Sequence, residues 1–112
     1  MKRGEVWRAN LHDPAGSEQE FGRLVVILQD DDFSKSRIRN IVVAAITSNM
    51  RLSVVLGNVP LSKKSVAVNR ESTINISQII TLEKSLLNVK LGRVSQIKMN
   101  DLDEGMQLVL SL

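Results

Sequence analysis

The apolar residues of this chain are grouped in short runs separated by turn residues, which is the pattern of a β-rich domain. Two runs, at 24–28 and 41–46, are continuously apolar and predict central strands that are covered on both faces. At 74–77 apolar and polar residues alternate, which predicts a half-exposed strand. Strands are predicted at 5–11, 23–29, 41–46, 54–61, 65–68, 73–82 and 89–94, the fourth as a weak hairpin or bulged strand broken at Gly57-Asn58.

Only the C-terminal end of the chain has the period of a longer helix. Ser95 is its predicted N-cap, because a serine hydroxyl can accept a hydrogen bond from a free N–H of the first turn. Gly105 costs the helix about 1 kcal/mol relative to alanine, which indicates close packing at that position. The apolar stripe of the helix consists of Met99, Leu102, Met106 and Val109.

Shorter features complete the outline of the fold. Asp32 is the predicted N-cap of a short turn at 33–35, one helical turn is predicted within 81–87, and Pro60 indicates an edge strand. Many short strands and one terminal helix, without strand–helix–strand alternation, exclude a doubly wound nucleotide-binding fold. The order predicts one domain over residues 1–112, mostly β, with a small, strongly bent antiparallel sheet or barrel.

Composition narrows the class of protein without deciding it. With 112 residues, 43% of them hydrophobic, the chain can form one compact core, and the absence of cysteine excludes disulfides and thiolate zinc sites. The net charge of +3 permits a polyanionic partner but does not require one. No apolar segment approaches the roughly 18 residues of a membrane span, and the N-terminus lacks a signal-peptide pattern, so a cytoplasmic protein is expected.

Several kinds of catalytic site are incompatible with the sequence. The single histidine, His12, excludes a two-histidine ribonuclease within one chain and disfavours a Ser-His-Asp triad. A glycine-rich phosphate loop, HExxH and GxSxG are all absent. The aspartates at 30–32 lack the alternating spacing of a calcium loop, so a solvated run is favoured over a metal site. Neither a metal nor a cofactor is expected.

One arginine stands where a polar, glycine-containing loop meets the apolar strand at 24–28. Arg23 is therefore well placed to hold a phosphate, although an ordinary ion pair is a serious alternative. A second polar group, Thr47-Ser48-Asn49, follows the other continuously apolar run, and its simplest role is to satisfy loop backbone groups. Trp7 is interpreted as a core or interface residue rather than a base-stacking one.

Four segments carry a resemblance in chain order: KRGEVW at 2–7, DPAGSEQ at 13–19, AITSN at 45–49 and SQIITLEK at 77–84. Together they resemble the MazF/PemK toxins of bacterial toxin–antitoxin pairs, also called CcdB/PemK-like. The first is similar to the family's RGEIW and the second to its DPxxGSEQ loop. AITSN at 45–49 matches its P-[IV]-T-S turn, and SQIITLEK at 77–84 resembles its DQ-[IV]-x-T-[IL]-D-K segment. The helical segment at 99–112 fits the closing helix, so the resemblance covers almost the whole chain.

The resemblance implies a fold, an activity and partners. The fold would be a small SH3-like barrel that forms a homodimer. The activity would be metal-independent, sequence-specific endoribonuclease cleavage of single-stranded RNA, and the partner an antitoxin with an acidic disordered tail. The family's arginine after the loop maps to Arg23 and its turn threonine to Thr47, which makes these two the candidate catalytic residues.

Three departures from the family pattern narrow the expected chemistry. Leu24 replaces the usual proline, Ser77 replaces an aspartate, and Ser17 occupies the position of a loop histidine. A variant of the chemistry that uses histidine and aspartate is therefore disfavoured, and Glu18 is a candidate general base against a structural role in the loop. The candidate RNA-binding residues are Ser17, Glu18, Gln19, Ser48, Asn49 and Gln78.

A non-catalytic function is the alternative. The chain would then be a toxin of the same fold that acts on gyrase, or a barrel that binds RNA without cutting it. The matching positions of Arg23 and Thr47 favour the nuclease.

Overall fold

The computed structural model describes residues 1–10, 23–64, 68 and 70–112 of the chain. The described strands form one antiparallel sheet in the order β4-β5-β3-β2-β1-β6, curled into a half-barrel. This confirms the predicted mostly β fold with a bent antiparallel sheet. The strands are β1 Glu5–Ala9, β2 Arg23–Ile27, β3 Asn40–Thr47, β4 Val59–Leu61, β5 Ser72–Glu83 and β6 Leu87–Arg93; the helices are α1 Asp31–Lys35 and α2 Gln96–Leu110, with short 3₁₀ helices at Met50–Val54 and Lys84–Leu86.

Strand β2 lies in the middle of the sheet and is buried on both faces. Val26 belongs to a larger core that also contains Met99 and Leu102 of α2. Val25 and Ile27 face the opposite way, into a smaller core together with residues of β1, β3 and β6. Each such side chain contributes on the order of 2 kcal/mol by leaving water. The continuously apolar run at 24–28 is therefore a central strand covered on both faces, as predicted.

Helix α2 closes the larger core and begins where the sequence predicts. The Ser95 hydroxyl accepts a hydrogen bond from the Lys98 N–H at 3.3 Å, so Ser95 is the N-cap. The prediction of close packing at Gly105 is confirmed, because a Cβ there would collide with the carbonyl oxygen of Gly57. At the C-terminal end of the stripe, Val109 remains 44% exposed.

The prediction of a strand over 54–61 is wrong for most of its length. Val54 ends a 3₁₀ helix, Gly57 turns the chain with φ of +87°, and only Val59–Leu61 pairs with the sheet. The turn is fixed by Asn58, whose amide donates to the Leu52 carbonyl at 3.0 Å and accepts from the Ile76 N–H at 2.9 Å. These long-range bonds are not visible in a local pattern. Strand β4 does lie at the edge of the described sheet, as Pro60 indicates.

The N-cap of α1 lies two residues earlier than predicted. Asp30, not Asp32, is the cap, since its carboxylate accepts the Asp32 N–H at 3.0 Å. Asp31 accepts the Arg3 N–H at 2.7 Å, so it ties the N-terminal segment to α1. Asp30 and Asp32 are exposed, in agreement with the interpretation of a solvated run, and two of the three aspartates also accept hydrogen bonds from backbone N–H groups.

Strand β5 is more deeply buried than its alternation predicts. Its first residues are buried on both faces, and they include the polar residues Thr73 and Asn75. The Thr73 hydroxyl donates to Met50 Sδ at 3.9 Å, so the Met50–Val54 segment lies against this face. The expected half-exposed strand is therefore wrong at this end. The strand predicted at 65–68 falls mostly outside the described residues.

None of the described helices is long and apolar enough to cross a membrane.

Candidate active site

The strand register brings the two candidate catalytic residues together. Arg23 is the first residue of β2 and Thr47 is the last residue of β3. Leu24 pairs with Ile46, so the same register continued by one residue places Arg23 opposite Thr47. Directly opposed residues share one face of a sheet, with Cβ atoms about 4.5–5.5 Å apart. The two residues, distant in sequence, are therefore neighbours at one end of a strand pair, which we call the candidate active end.

Both residues of this pair are also paired with buried residues on the neighbouring strands. Arg23 pairs with Ala9 of β1, and Thr47 pairs with Thr73 of β5. Ala9 and Thr73 are fully buried, whereas Arg23 and Thr47 are half-buried. By strand alternation Arg23 lies on the same face as Val25, above the smaller core. This core fixes the position of the backbone from which the Arg23 side chain extends.

The hydroxyl of Thr47 is oriented by the turn that follows it. It accepts a hydrogen bond from the Asn49 N–H at 3.1 Å, and the Asn49 side chain accepts from the Arg51 N–H at 3.2 Å. The expected alternative role, satisfying loop backbone groups, is thus present. Because the turn uses the Thr47 oxygen as an acceptor, the hydroxyl hydrogen remains a donor for a phosphate oxygen.

The other described candidate RNA-binding residues lie at two places. Ser48 and Asn49 are exposed in the turn after Thr47, directly beside the pair. Gln78 is exposed on an irregular part of β5, where Ala45 pairs with Asn75 but Ala44 pairs with Ile79. The register does not bring Gln78 opposite Thr47.

The irregular part of β5 is held by side chains that the sequence patterns did not single out. The Asn75 carboxamide oxygen accepts both the Ser77 N–H at 3.2 Å and the Ser77 hydroxyl at 2.6 Å. The alternation of Asn75 with isoleucines was the available signal, but it predicts exposure rather than a buried amide. Gln78 is thus carried on a braced bulge rather than on a free loop.

The remaining candidates, Ser17, Glu18 and Gln19, lie outside the described residues, as does His12. Their roles stay predictions.

Near the N-terminus, a buried carboxylate organises strand β1. Glu5 accepts hydrogen bonds from the Lys2 N–H at 2.9 Å and the Trp7 indole N–H at 3.1 Å, and it pairs with the Lys90 ammonium at 2.9 Å. Burial alone would raise the pKa of Glu5, but these three donors outweigh it and lower the pKa to about 2. Trp7 is half-buried against the smaller core and its N–H is occupied, which agrees with a core or interface residue.

Within the described ranges, no group of three or more histidine, aspartate or glutamate side chains is arranged to hold a metal ion.

Comparison with known proteins identifies the family. The model of the PemK-like, MazF-like toxins of type II toxin–antitoxin systems matches residues 2–110. The chain belongs to this family. It is 35% identical to endoribonuclease MazF6 of Mycobacterium tuberculosis and to endoribonuclease MazF2 of Mycobacterium bovis, in each case over all 112 residues and 98% of the relative.

Solved structures agree on the fold. The M. tuberculosis toxin MazF-mt6 superposes with a TM-score of 0.80 at 20% identity, over 96% of this chain and 97% of that one. The MazE–MazF complex of Deinococcus radiodurans gives a TM-score of 0.82 at 15% identity, over 100% and 96%. A mycobacterial endoribonuclease in complex with its cognate antitoxin gives a TM-score of 0.80 at 20% identity, over 100% of this chain and 96% of that one. The predicted toxin fold is therefore confirmed.

Proposed function

We propose that this toxin is a sequence-specific endoribonuclease that cuts single-stranded RNA in the cytoplasm without a metal ion. The observation that carries the proposal is the β2–β3 register, in which Arg23 stands opposite Thr47 on one face. The endoribonuclease names of relatives 35% identical over the full chain support the same activity.

The 2′-OH of RNA supplies the nucleophile, so the protein must align it and stabilise the charge that develops on phosphorus. The planar guanidinium of Arg23 binds two phosphate oxygens at once and carries a permanent charge, which suits the pentavalent transition state. The Thr47 hydroxyl donates a further hydrogen bond to a phosphate oxygen. Attack by the 2′-oxygen expels the 5′-oxygen of the next nucleotide and leaves a 2′,3′-cyclic phosphate and a 5′-OH.

Two protons must move during this step. The 2′-OH loses one, for which Glu18 is the candidate base, and the leaving 5′-oxygen gains one from a water molecule, while Arg23 stays charged and holds the phosphate. Glu18 stands in the segment that resembles the family loop, and its role rests on that resemblance.

The proposed protein partner is a cognate antitoxin with an acidic, disordered tail. Two of the solved structures are complexes: one is an endoribonuclease with its cognate antitoxin, and the other is MazF with MazE. An acidic tail would occupy the same cationic end as RNA, because both present a line of negative charge to Arg23.

A homodimer is the proposed assembly, and an exposed apolar surface supports it. Val54 is 88% exposed, Leu56 73% and, on α2, Val109 44%. The segment 54–57 adjoins the C-terminal part of α2, since Val109 Cγ2 would lie 2.9 Å from a Cβ built on Gly57. Contiguous exposed apolar surface of this kind marks an interface, and a two-fold dimer covers it with the same surface of a second copy. Sedimentation should detect a dimer that Leu56→Lys converts to monomer; an unchanged dimer would place the interface elsewhere.

Cleavage of a mixed-sequence RNA by the purified protein in EDTA tests the activity. The wild-type protein should cut at discrete sites. Arg23→Ala should lose cutting by a factor of at least about 10², the usual loss for one transition-state donor, with its melting temperature unchanged. Arg37→Ala, which removes an exposed arginine at the other end of the β2–β3 pair, is the matched control and should cut normally. An uncut RNA with wild-type protein would favour the non-catalytic alternative.

A further inference from the structure

Beyond Arg23, the described part of the candidate active end carries four exposed cations. Arg51 lies in the 3₁₀ helix after Thr47, Lys63 and Lys64 follow β4, and Arg70 precedes β5. None of the salt bridges in the described part of the chain involves any of them. The one described carboxylate on this connection is Glu71, which accepts the Lys63 N–H at 3.4 Å. Among the described residues, this surface therefore holds cations without matching carboxylates.

The topology places these cations at the same end of the sheet as Arg23. Strands β3 and β4 end there, and β2 and β5 begin there, because Leu61 pairs with Ser72 and Thr47 pairs with Thr73. The Met50–Val54 helix lies between the catalytic pair and β4, since Met50 accepts the Thr73 hydroxyl. Arg51 belongs to this helix and therefore lies between the catalytic pair and the cations on the connection from β4 to β5.

The spacing fits an extended polyanion that continues from the site. From β2 to β4 there are three steps across the sheet, through β3 and β5. At about 4.8 Å for each step, β4, which Lys63 and Lys64 follow, lies about 14 Å from β2, and β5, which Arg70 precedes, lies about 10 Å from β2. A single RNA strand with its cut phosphate at Arg23 therefore reaches these cations with phosphates that flank the cut.

The described cations at the opposite end of the β2–β3 pair are matched by carboxylates. At the opposite end of the β2–β3 pair, the cations Lys35, Arg37 and Arg39 share their segment with the aspartates of α1. A local excess of cations binds phosphates by releasing their counterions.

We propose that Lys63, Lys64 and Arg70 form a basic arm that binds the phosphates flanking the cut on one side of the RNA, with Arg51 linking the arm to the catalytic pair. This inference rests on the proposed nuclease function and adds a substrate-binding surface to it. The arm contacts phosphates and not bases, so it contributes affinity for any sequence and leaves the choice of cleavage site to other residues.

Binding to a 2′-O-methylated RNA of mixed sequence tests the arm, because this RNA cannot be cut by 2′-OH attack. The arm variant is Lys63→Gln, Lys64→Gln and Arg70→Gln together. The matched control is Lys35→Gln, Arg37→Gln and Arg39→Gln, which changes the net charge equally at the other end of the same sheet. Fluorescence anisotropy gives the Kd of each protein over a range of salt concentrations, and circular dichroism confirms that each is folded.

The arm variant should bind RNA about 10- to 100-fold more weakly. Its slope of log Kd against log salt should fall by about 2, because it lacks three phosphate contacts and each contact to a single strand contributes about 0.7 to the slope. On cleavable RNA, its KM should rise while kcat stays unchanged. The control variant should match the wild type in slope. Equal losses in the two variants would overturn the proposal, because net charge alone would then account for the binding.

Two further outcomes are informative. The first tells whether the arm binds RNA or an acidic protein, and the second separates the arm proposal from the nuclease proposal. If the arm variant keeps its RNA affinity but loses affinity for a polyglutamate peptide, the surface serves an acidic protein segment and the proposal fails. If wild-type protein leaves cleavable RNA intact while the arm variant still loses RNA affinity, the nuclease proposal fails and the arm stands.

Discussion

The buried carboxylate of Glu5 leads to a prediction that the structure makes quantitative. Burial opposes its ionisation, but the Lys2 N–H, Lys90 and Trp7 together outweigh burial and lower the pKa from 4.5 to about 2. Because the pKa of Glu5 is lower in the folded than in the unfolded protein, its ionised carboxylate stabilises the fold at pH values above the unfolded-state pKa. This stability is lost as the pH falls from about 5 towards 2. A change in pKa of about 2.5, at about 1.4 kcal/mol for each pH unit, sets an upper limit of about 3.5 kcal/mol.

Glu5→Gln isolates this contribution, because glutamine keeps an oxygen acceptor for Lys2 and Trp7 but removes the charge that faces Lys90. Urea unfolding of both proteins at pH 7, 4 and 2.5 gives the difference in free energy of unfolding. The wild type should be more stable at pH 7, and the difference should shrink steadily as the pH falls. Glu104→Gln, at an exposed carboxylate of α2, is the control and should show a much smaller change.

A difference between wild type and Glu5→Gln that stays constant from pH 7 to 2.5 would refute this reasoning. The lost stability would then come from packing or neutral hydrogen bonds and not from the ionised carboxylate.

Three other substitutions have expected outcomes. Gly105→Ala should lower the free energy of unfolding by about 1–3 kcal/mol, because its Cβ would collide with the Gly57 carbonyl; stabilisation, the usual effect of this change in a helix, would contradict the packing. Thr47→Val should reduce kcat for RNA cleavage about 10- to 100-fold while Thr47→Ser keeps most of it, since only the hydroxyl matters; equal losses would point to packing. Asn58→Ala should cost roughly 2 kcal/mol in urea unfolding by leaving the Leu52 carbonyl and Ile76 N–H unpaired, and a change below about 0.5 kcal/mol would show that water replaces it.

Local patterns predicted the elements whose causes are local. The Ser95 cap and the apolar stripe of α2 depend on residues within one or two turns of each other, so the sequence alone places the helix. Strand β2 is equally accessible to a local pattern, because a continuous run of apolar residues is the signal of a strand covered on both faces.

Contacts between distant segments could not be predicted in the same way. The turn at 54–58 depends on Asn58 binding both Leu52 and Ile76, and the burial of Asn75 depends on what covers that face of β5. The choice of Asp30 over Asp32 as cap is a smaller case, since two aspartates of the same run offer nearly the same local signal.

The candidate site lies between these cases. The positions of Arg23 and Thr47 at strand ends, together with the resemblance to a family motif, predict the pair, but their adjacency depends on the register between β2 and β3. The two cores determine that register, because a slip by one residue would turn the side chains that fill each core to the opposite face. Local patterns do not predict the basic arm. Its residues come from both ends of the connection between β4 and β5, and they come together only in the folded sheet.

The most direct test of the central claim is cleavage of one mapped RNA site made in two forms, with ribose or 2′-deoxyribose at the nucleotide before the cut, in the presence of EDTA. If Arg23 and Thr47 promote attack by the 2′-OH, the ribose form is cut to a 2′,3′-cyclic phosphate and a 5′-OH, as mass spectrometry will show. The deoxyribose form then stays intact, and Arg23→Ala cuts neither. Cutting of the deoxyribose form, or normal cutting of the ribose form by Arg23→Ala, would contradict the account.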